Sequence, residues 1–239
     1  MIAAALAGGA DVRQVFYCQR AGAAAALAEQ AAAKGTPVAA VDDRTMAALS
    51  ETRTPQGIAA VVGFLDREVG ALERLLPRGR RGFVLVLHDV SDPGNAGTLI
   101  RCAEAFSAAA VCFGPAGVEP YNGKLVRATA GAFFRVPIVC YEDWGPLKTA
   151  LTNIDAQLVG AEASAQDVRD AKIPDRCALI VGHERHGLQA IPSADAAIRV
   201  SVPQAASAES LNAGVAGAIV MYEIARRLEL IRRGGPASA

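Results

Sequence analysis

The sequence lacks a charge imbalance, a long apolar run and a basic leader. Of its 239 residues, 24 are Lys or Arg and 24 are Asp or Glu, so the formal net charge is +0. Attraction to a polyanion must therefore come from a local patch and not from total charge. No apolar stretch reaches the roughly 20 residues that a membrane-spanning helix requires. No basic segment precedes the apolar start at 1–10. We therefore expect a soluble, cytoplasmic protein with no membrane partner.

The sequence also lacks any cysteine pattern typical of disulfides or zinc. Its five cysteines are widely spaced, and no two of them form a C-x-x-C pair. This usage indicates reduced thiols in a reducing compartment. With 52% hydrophobic and 20% charged residues, the chain is too apolar to be disordered. Its length favours one or two compact domains.

The chain divides into two predicted segments. Residues 1–76 alternate short strand-like and helical stretches, which indicates a small α/β module. Residues 77–82 combine chain breakers with three arginines and are predicted to be a linker. Six short apolar runs follow, at 83–87, 109–113, 137–140, 157–159, 178–181 and 198–202. Such runs are typical of a parallel sheet covered on both faces, so residues 83–239 are predicted to form an α/β domain whose functional loops follow the strands.

The first of these loops spans residues 92–101, directly after the first apolar run. Pro93 and Gly94 stop the strand, and Asn95 is predicted to cap the next helix. Gly97 allows a close approach of another group. Helical spacing places Arg101 on the face away from the core, where it is either a functional residue or a solvated surface arginine.

Two further loops carry polar residues between glycines or small residues. Residues 182–188 read Gly-His-Glu-Arg-His-Gly-Leu, which indicates a backbone that faces a ligand while Glu184 is held in place. The i, i+3 spacing of His183 and His186 does not match a helical zinc motif, so we expect no metal. The third loop, 203–212, leads into the last helix. A serine or glutamate there is either a helix cap or a functional group.

Together these loops resemble the three motifs of the SpoU (TrmH) family, RNA 2′-O-ribose methyltransferases of the SPOUT class. The matching letters are Asn95-x-Gly97-x-x-x-Arg101, Gly182-x-Glu184-x-x-Gly187-Leu188, and Val202-Pro203 with Ser210-Leu211-Asn212. The resemblance covers residues 83–239. More loosely, residues 1–76 resemble the small ribosomal-protein-like RNA-binding domain that many members carry before the catalytic part.

The resemblance implies a fold, a reaction and a set of site residues. It implies a C-terminal trefoil knot at about 178–220, a homodimer, and S-adenosylmethionine as the methyl donor to a ribose 2′-hydroxyl, most of all of ribosomal RNA. The residues implied for the cofactor are Gly182, Val202 and Leu211, with Ile198, Val200, Gly187 and Leu188 nearby. The residues implied for catalysis are Arg101 at the hydroxyl, Asn95 holding Arg101 or substrate, Glu184 positioning the loop or Arg101, and Ser210 with Asn212 completing the pocket.

Several alternatives remain open on the sequence. A tRNA 2′-O-methyltransferase and a non-catalytic RNA-binding paralogue share the same motifs, although the complete set of motif residues argues against the paralogue. A dinucleotide-binding dehydrogenase is disfavoured because no G-x-G-x-x-G follows the first strand of the domain. A further set of basic residues forms either an RNA track or an ordinary solvated surface: Arg78, Arg80, Arg81, Arg127, Arg135, Arg226, Arg227, Arg232 and Arg233.

Overall fold

The computed structural model describes residues 1–52, 54–189, 191, 195–196, 198–205 and 210–231. The chain forms two compact units, Met1–Leu65 and Asp66–Ala239. Among the described residues, no helix is long and apolar enough to cross a membrane. Arg232, Arg233 and part of the predicted knot range 178–220 lie outside the described residues.

The first unit is a three-stranded sheet with helices. Its elements are α1 (Ile2–Ala7), β1 (Val12–Tyr17), α2 (Gly22–Ala33), β2 (Val38–Ala40), α3 (Asp43–Leu49) and β3 (Ile58–Val62). The strand order is β2-β1-β3, with β1 parallel to β2 and antiparallel to β3. A small buried core lies between the sheet and the helices, formed by Leu6, Val15, Ala28 and Ala31.

The second unit begins at Asp66, which differs from the predicted boundary at 76 and the predicted linker 77–82. A short helix, α4 (Leu72–Leu75), buries Leu72 and places Leu76 in the core of this unit. The side chain of Arg176 donates hydrogen bonds to the carbonyl oxygens of Leu76, Pro77 and Arg80. The arginines that suggested an open linker are paired with acids far along the chain: Arg78 with Asp155, and Arg81 with Asp175.

A six-stranded parallel sheet forms the centre of the second unit. Its remaining elements are β4 (Gly82–Leu87), α5 (Pro93–Ala105), β5 (Val111–Phe113), α6 (Gly123–Ala128), β6 (Ile138–Cys140), α7 (Trp144–Asn153), β7 (Gln157–Asp167), β8 (Arg176–Val181), β9 (Ile198–Ser201) and α8 (Ala213–Arg227). The strand order is β6-β5-β4-β8-β7-β9, and every pair is parallel. Each of the six apolar runs in the sequence forms one of these strands, so the predicted α/β domain with a parallel sheet is confirmed.

The sheet order brings two of the three predicted loops together. β4 pairs with β8 along its whole length, from Gly82 opposite Arg176 to Leu87 opposite Val181. The loops that follow these two strands therefore emerge side by side at the carboxyl edge of the sheet, where ligands bind in such folds. Helix α8 packs against α5 at the same edge, which brings the third loop to the first.

Two glycines let α5 pack closely against its neighbouring helices. A Cβ on Gly97 would lie 2.4 Å from the Cβ of Ala128 at the end of α6. A Cβ on Gly217 of α8 would lie 2.6 Å from Leu99 Cδ2 on α5. The close approach expected at Gly97 is therefore made by the end of α6.

We predict that Gly97→Ala lowers the free energy of unfolding by about 1–3 kcal/mol, because the added methyl group overlaps Ala128 in a packed interface. Urea unfolding monitored by circular dichroism measures the change. Gly145→Ala is the matched control, since a Cβ on that α7 glycine meets nothing within 4 Å. Equal effects of the two substitutions would contradict the packing role of Gly97.

Candidate active site

Glu184 joins the second predicted loop to the first. Its Oε2 accepts hydrogen bonds from Ser91 Oγ at 2.9 Å and from Ser91 N at 3.4 Å. Its Oε1 accepts hydrogen bonds from Asp92 N and Asn95 Nδ2, both at 3.1 Å. One carboxylate thus holds the turn between β4 and α5 against the loop that follows β8.

These hydrogen bonds keep Glu184 ionised. Burial alone would raise the pKa of this carboxyl. The hydrogen bonds from Asn95, from the backbone of Glu184 and Asp92, and from Ser91 outweigh burial and lower the pKa to about 2. Glu184 therefore remains a hydrogen-bond acceptor at neutral pH and is unsuited to the role of a general base.

The ionised carboxylate also sets the direction of the hydrogen bonds beyond it. Because Glu184 only accepts, Asn95 presents its Nδ2 to the carboxylate and turns its Oδ1 the other way. Asn212 Nδ2 donates to that Oδ1 at 2.7 Å. The Oδ1 of Asn212 accepts from Val215 N at 3.2 Å and caps α8. One directed network therefore joins residues of all three motifs.

Small residues at the start of α8 make this contact possible. A Cβ on Gly214 would lie 3.2 Å from the Cα of Asn95, a separation tight enough to push the helix away from the first loop. Asn95 is only 9% exposed, because α8 covers it. The prediction that Asn95 caps its own helix was wrong. The cap of α5 is Asp92, whose Oδ1 accepts from Asn95 N at 2.7 Å.

Arg101 stands apart from this network. It lies on α5 two helical turns beyond the cap, and its side chain is exposed. Within the described part of the chain, no hydrogen-bond or ion-pair partner holds its guanidinium. Asn95 and Glu184 contact each other and not Arg101, so the structure assigns them to holding the loops together. Arg101 is left available to a ligand.

A cavity of about 310 Å³ lies beside the network. It is bounded by β7, by the ends of β8 and β9, and by the start of α8. Most of its wall is backbone or small aliphatic side chains. Of the predicted site residues, those that line it are Gly182, Glu184, Gly187, Val200, Val202, Ser210 and Leu211. Other lining residues include Glu162, His183, Arg185, His186 and Gln204.

The glycine loop of this cavity folds back tightly on itself. His183 and Gly187 exchange two backbone hydrogen bonds, at 3.0 and 2.8 Å. A Cβ on Gly182 would lie 2.0 Å from the carbonyl oxygen of Gly187, so only glycine fits there. Gly187 has φ +56°, a conformation that also favours glycine. This geometry lets the loop, with its two glycines, form one side of the cavity.

Two predicted cofactor residues lie away from the cavity. Leu188 is 3% exposed and belongs to the core, where its methyl groups pack beneath Gly160 and Gly182. Ile198 borders a separate surface depression together with Gln157 and Lys172. Both residues lie behind the cavity wall and do not line it. Motif spacing alone does not distinguish such a supporting residue from one that contacts the ligand.

Sequence reasoning did not single out Ser91 and Glu162. Ser91 Oγ donates the 2.9 Å hydrogen bond to Glu184. The sequence feature that could have identified Ser91 is its position next to Asp92 at the start of the first loop. Glu162 lies inside β7 and belongs to none of the three motifs, so no sequence feature marked it. The rings of His183 and His186 lie with their centroids 4.8 Å apart and their planes tilted by 40°. No group of three or more potential metal ligands occurs among the described residues.

We predict that Glu184→Gln lowers the free energy of unfolding at neutral pH. The substitution replaces one acceptor oxygen with an amide nitrogen, which cannot accept the hydrogen bonds that Ser91, Asp92 or Asn95 donate. The folded-state pKa of Glu184 lies below the unfolded one, so its contribution is complete above about pH 4.5 and is lost as the pH falls toward 2. The difference from wild type should therefore be constant between pH 8 and 5 and shrink below that, in urea unfolding. Glu73→Gln, on the exposed face of α4, is the control. A difference that grows in acid would contradict this assignment.

Comparison with known proteins places these loops in a family. The profile of the SpoU rRNA Methylase family matches residues 82–222, and that of the MRM3-like substrate binding domain matches residues 1–60. The 23S rRNA (guanosine(2553)-2′-O)-methyltransferase RlmP of Bacillus subtilis is 32% identical over 189 residues, which span 77% of this chain and 71% of RlmP.

Further relatives agree in sequence and in fold. The 23S rRNA (guanosine-2′-O-)-methyltransferase RlmB of Ralstonia nicotianae is 28% identical over 204 residues, or 84% of this chain and 81% of RlmB. The crystal structure of the SpoU methyltransferase AviRb from Streptomyces viridochromogenes with AdoMet superposes with a TM-score of 0.82 at 25% identity, covering 97% of this chain and 88% of AviRb. This chain belongs to the SpoU rRNA methylase family.

Proposed function

We propose that this protein transfers a methyl group from S-adenosylmethionine to a ribose 2′-hydroxyl of ribosomal RNA. The observation that carries the proposal is the network from Asn212 through Asn95 to Glu184, which joins the three motif loops beside one cavity. Family membership and the AdoMet complex of AviRb support the same reaction.

The cavity suits an adenosyl ligand. Its backbone-rich, aliphatic wall can hold a flat base and offer it peptide groups. The residues that would hold the cofactor are Gly182, Gly187, Val200, Val202 and Leu211. When bound, S-adenosylmethionine supplies a methyl group on a positively charged sulfur, already activated toward an oxygen nucleophile.

Arg101 is the residue we assign to the ribose hydroxyl. Its guanidinium stays protonated, so it cannot remove the proton itself. It orients the hydroxyl and stabilises the negative charge that develops on the oxygen. Glu184 does not take the proton, because its pKa is about 2 and its oxygens already accept hydrogen bonds. The proton leaves to water or to a phosphate oxygen of the RNA.

The surface around Arg101 favours RNA as the substrate. Arg101 and Lys124 are exposed on α5 and α6, which meet at Gly97 and Ala128. Other arginines of the predicted RNA track are occupied by ion pairs: Arg135 with Glu104, and Arg226 and Arg227 with Glu223. Arg101 and Lys124 therefore offer positive charge to an RNA phosphate near the proposed catalytic site. A target hydroxyl that DNA lacks restricts the reaction to RNA.

We also propose that the active form is a homodimer built on α8. The side chains of Val215, Ile219 and Tyr222 are 44%, 39% and 47% exposed, and their spacing puts them on one face of the helix. Leu211, 36% exposed, extends this apolar stripe to the cavity. A second copy covering the stripe would bring its own residues close to the site.

The remaining expectations are consistent with this assignment. The trefoil knot at about 178–220 stays a prediction. The cytoplasmic location and the choice of ribosomal over transfer RNA stay predictions.

We predict that Arg101→Ala reduces methyl transfer at least 100-fold while leaving the Kd for S-adenosylmethionine unchanged, because one charged donor at the reacting oxygen is worth about that much. Ribose methylation is mapped in total RNA of cells that lack the gene and carry either the wild-type or the variant copy. Wild type should restore a missing site and Arg101→Ala should not.

Arg74→Ala, on the exposed face of α4, controls for loss of a surface arginine. Near-normal transfer by Arg101→Ala would remove the role assigned to it. If the ribose methylation that is absent without the gene lies in tRNA, the substrate is tRNA and not ribosomal RNA. If no ribose methylation is absent, the proposed function is refuted.

We predict that Ile219→Glu converts a dimer to a monomer, because the substitution places a charge at the centre of the apolar stripe. Light scattering after size exclusion gives the molecular mass. Ala32→Glu, on the exposed side of α2, adds the same charge elsewhere and should leave the mass unchanged. A wild-type monomer would contradict the proposed assembly.

A further inference from the structure

The wall that β7 contributes to the cavity contains an irregularity with a carboxylate in it. Val200 of β9 pairs with both Ala161 and Gln166 of β7, so residues 162–165 bulge out of the ladder. Glu162 is the first residue of this bulge, and it lines the cavity. Bulges commonly redirect a side chain next to an active site.

Glu162 is held by one partner through one oxygen. Arg199 Nη1 donates to Glu162 Oε2 at 2.7 Å, with side chains 31% and 35% exposed. No described residue donates a hydrogen bond to Oε1. The other carboxylate on the cavity wall, Glu184, has donors on both of its oxygens. Glu162 therefore offers the cavity an oriented acceptor that the loop network does not use.

The ion pair decides what chemistry this acceptor suits. Arg199 neutralises the charge of Glu162, so the pair attracts a cation only weakly. The second oxygen still accepts a hydrogen bond, strengthened by ionisation. The vicinal hydroxyls of a ribose are such donors, and acidic residues bind ribose hydroxyls in other nucleotide-binding α/β folds.

We propose that Glu162 binds a ribose hydroxyl of the adenosyl cofactor and that Arg199 is a positioning residue that fixes its carboxylate. This inference rests on the proposed function, because it needs an adenosyl ligand in the cavity. It adds a side-chain contact to a site otherwise lined mainly by backbone and aliphatic groups.

Calorimetry with three ligands tests the proposal. S-adenosylmethionine, S-adenosylhomocysteine and 5′-methylthioadenosine share the ribose, but only the first carries the sulfonium and the last lacks the amino acid. Glu162→Ala should weaken all three by the same factor, about tenfold for one charge-assisted hydrogen bond. Glu162→Gln keeps an acceptor oxygen and should lose less affinity than Glu162→Ala. Glu73→Ala should change none of them.

Other outcomes overturn the assignment. Weakening of S-adenosylmethionine alone would mean that Glu162 recognises the sulfonium, and weakening of both amino-acid ligands but not of 5′-methylthioadenosine would mean that it recognises the ammonium. Unchanged binding of all three would remove Glu162 from the site. If the wild-type protein bound none of the ligands, the proposed function itself would fail, and this inference with it.

A second measurement isolates the hydroxyl. With 2′-deoxy and 3′-deoxy forms of 5′-methylthioadenosine, the form that lacks the contacted hydroxyl should bind wild type and Glu162→Ala equally, since the partner is already gone. Arg199→Lys should preserve most of the affinity and Arg199→Ala should lose part of it. A full effect of Glu162→Ala on both deoxy ligands would contradict the hydroxyl contact.

Discussion

An ionised carboxylate can accept hydrogen bonds but cannot donate them, and this property of Glu184 orients the centre of the site. Its hydrogen bond from Asn95 decides which end of that amide faces Asn212, and Asn212 in turn points its oxygen at the first turn of α8. The β4–α5 turn, the glycine loop and the last helix are therefore fixed relative to one another. Without this constraint each amide could flip, and the cavity wall would lose its definition.

Close backbone packing is what lets so short a network span three elements. Gly97 admits α6, Gly217 admits Leu99, and Gly214 brings α8 up to Asn95. A methyl group at Gly97 or Gly217 would overlap a neighbouring side chain, and one at Gly214 would force a small shift. The small residues of these segments thus permit close contact between elements, and several of them also line the cavity.

The sequence predicted the sheet well because its central strands β4, β5 and β8 are buried on both faces and consist of apolar runs. β4, for example, is buried at every position. The sequence predicted side-chain contacts less well where the two partners lie far apart in the chain. Arg78 and Arg81 appeared unpaired because Asp155 and Asp175 lie far along the chain. Asn95 looked like a helix cap because Pro93 and Gly94 were expected to precede the helix, whereas they form its first turn. Leu188 and Glu162 were also hard to predict from sequence. Leu188 packs against Gly160 of β7 and Glu162 lies at the irregularity of β7, so the position of each depends on how β7 pairs in the sheet.

The two hydrogen bonds of the Asn95 side chain join positions that are 89 and 117 residues apart in the chain. During synthesis, the first motif loop leaves the ribosome long before Asn212 does. Until α8 has emerged and packed, Asn95 has no donor for its oxygen and one side of the cavity is missing. A nascent or prematurely terminated chain therefore has the central strands but not a competent site, so the ability to bind and react arrives only with completed translation of the last helix.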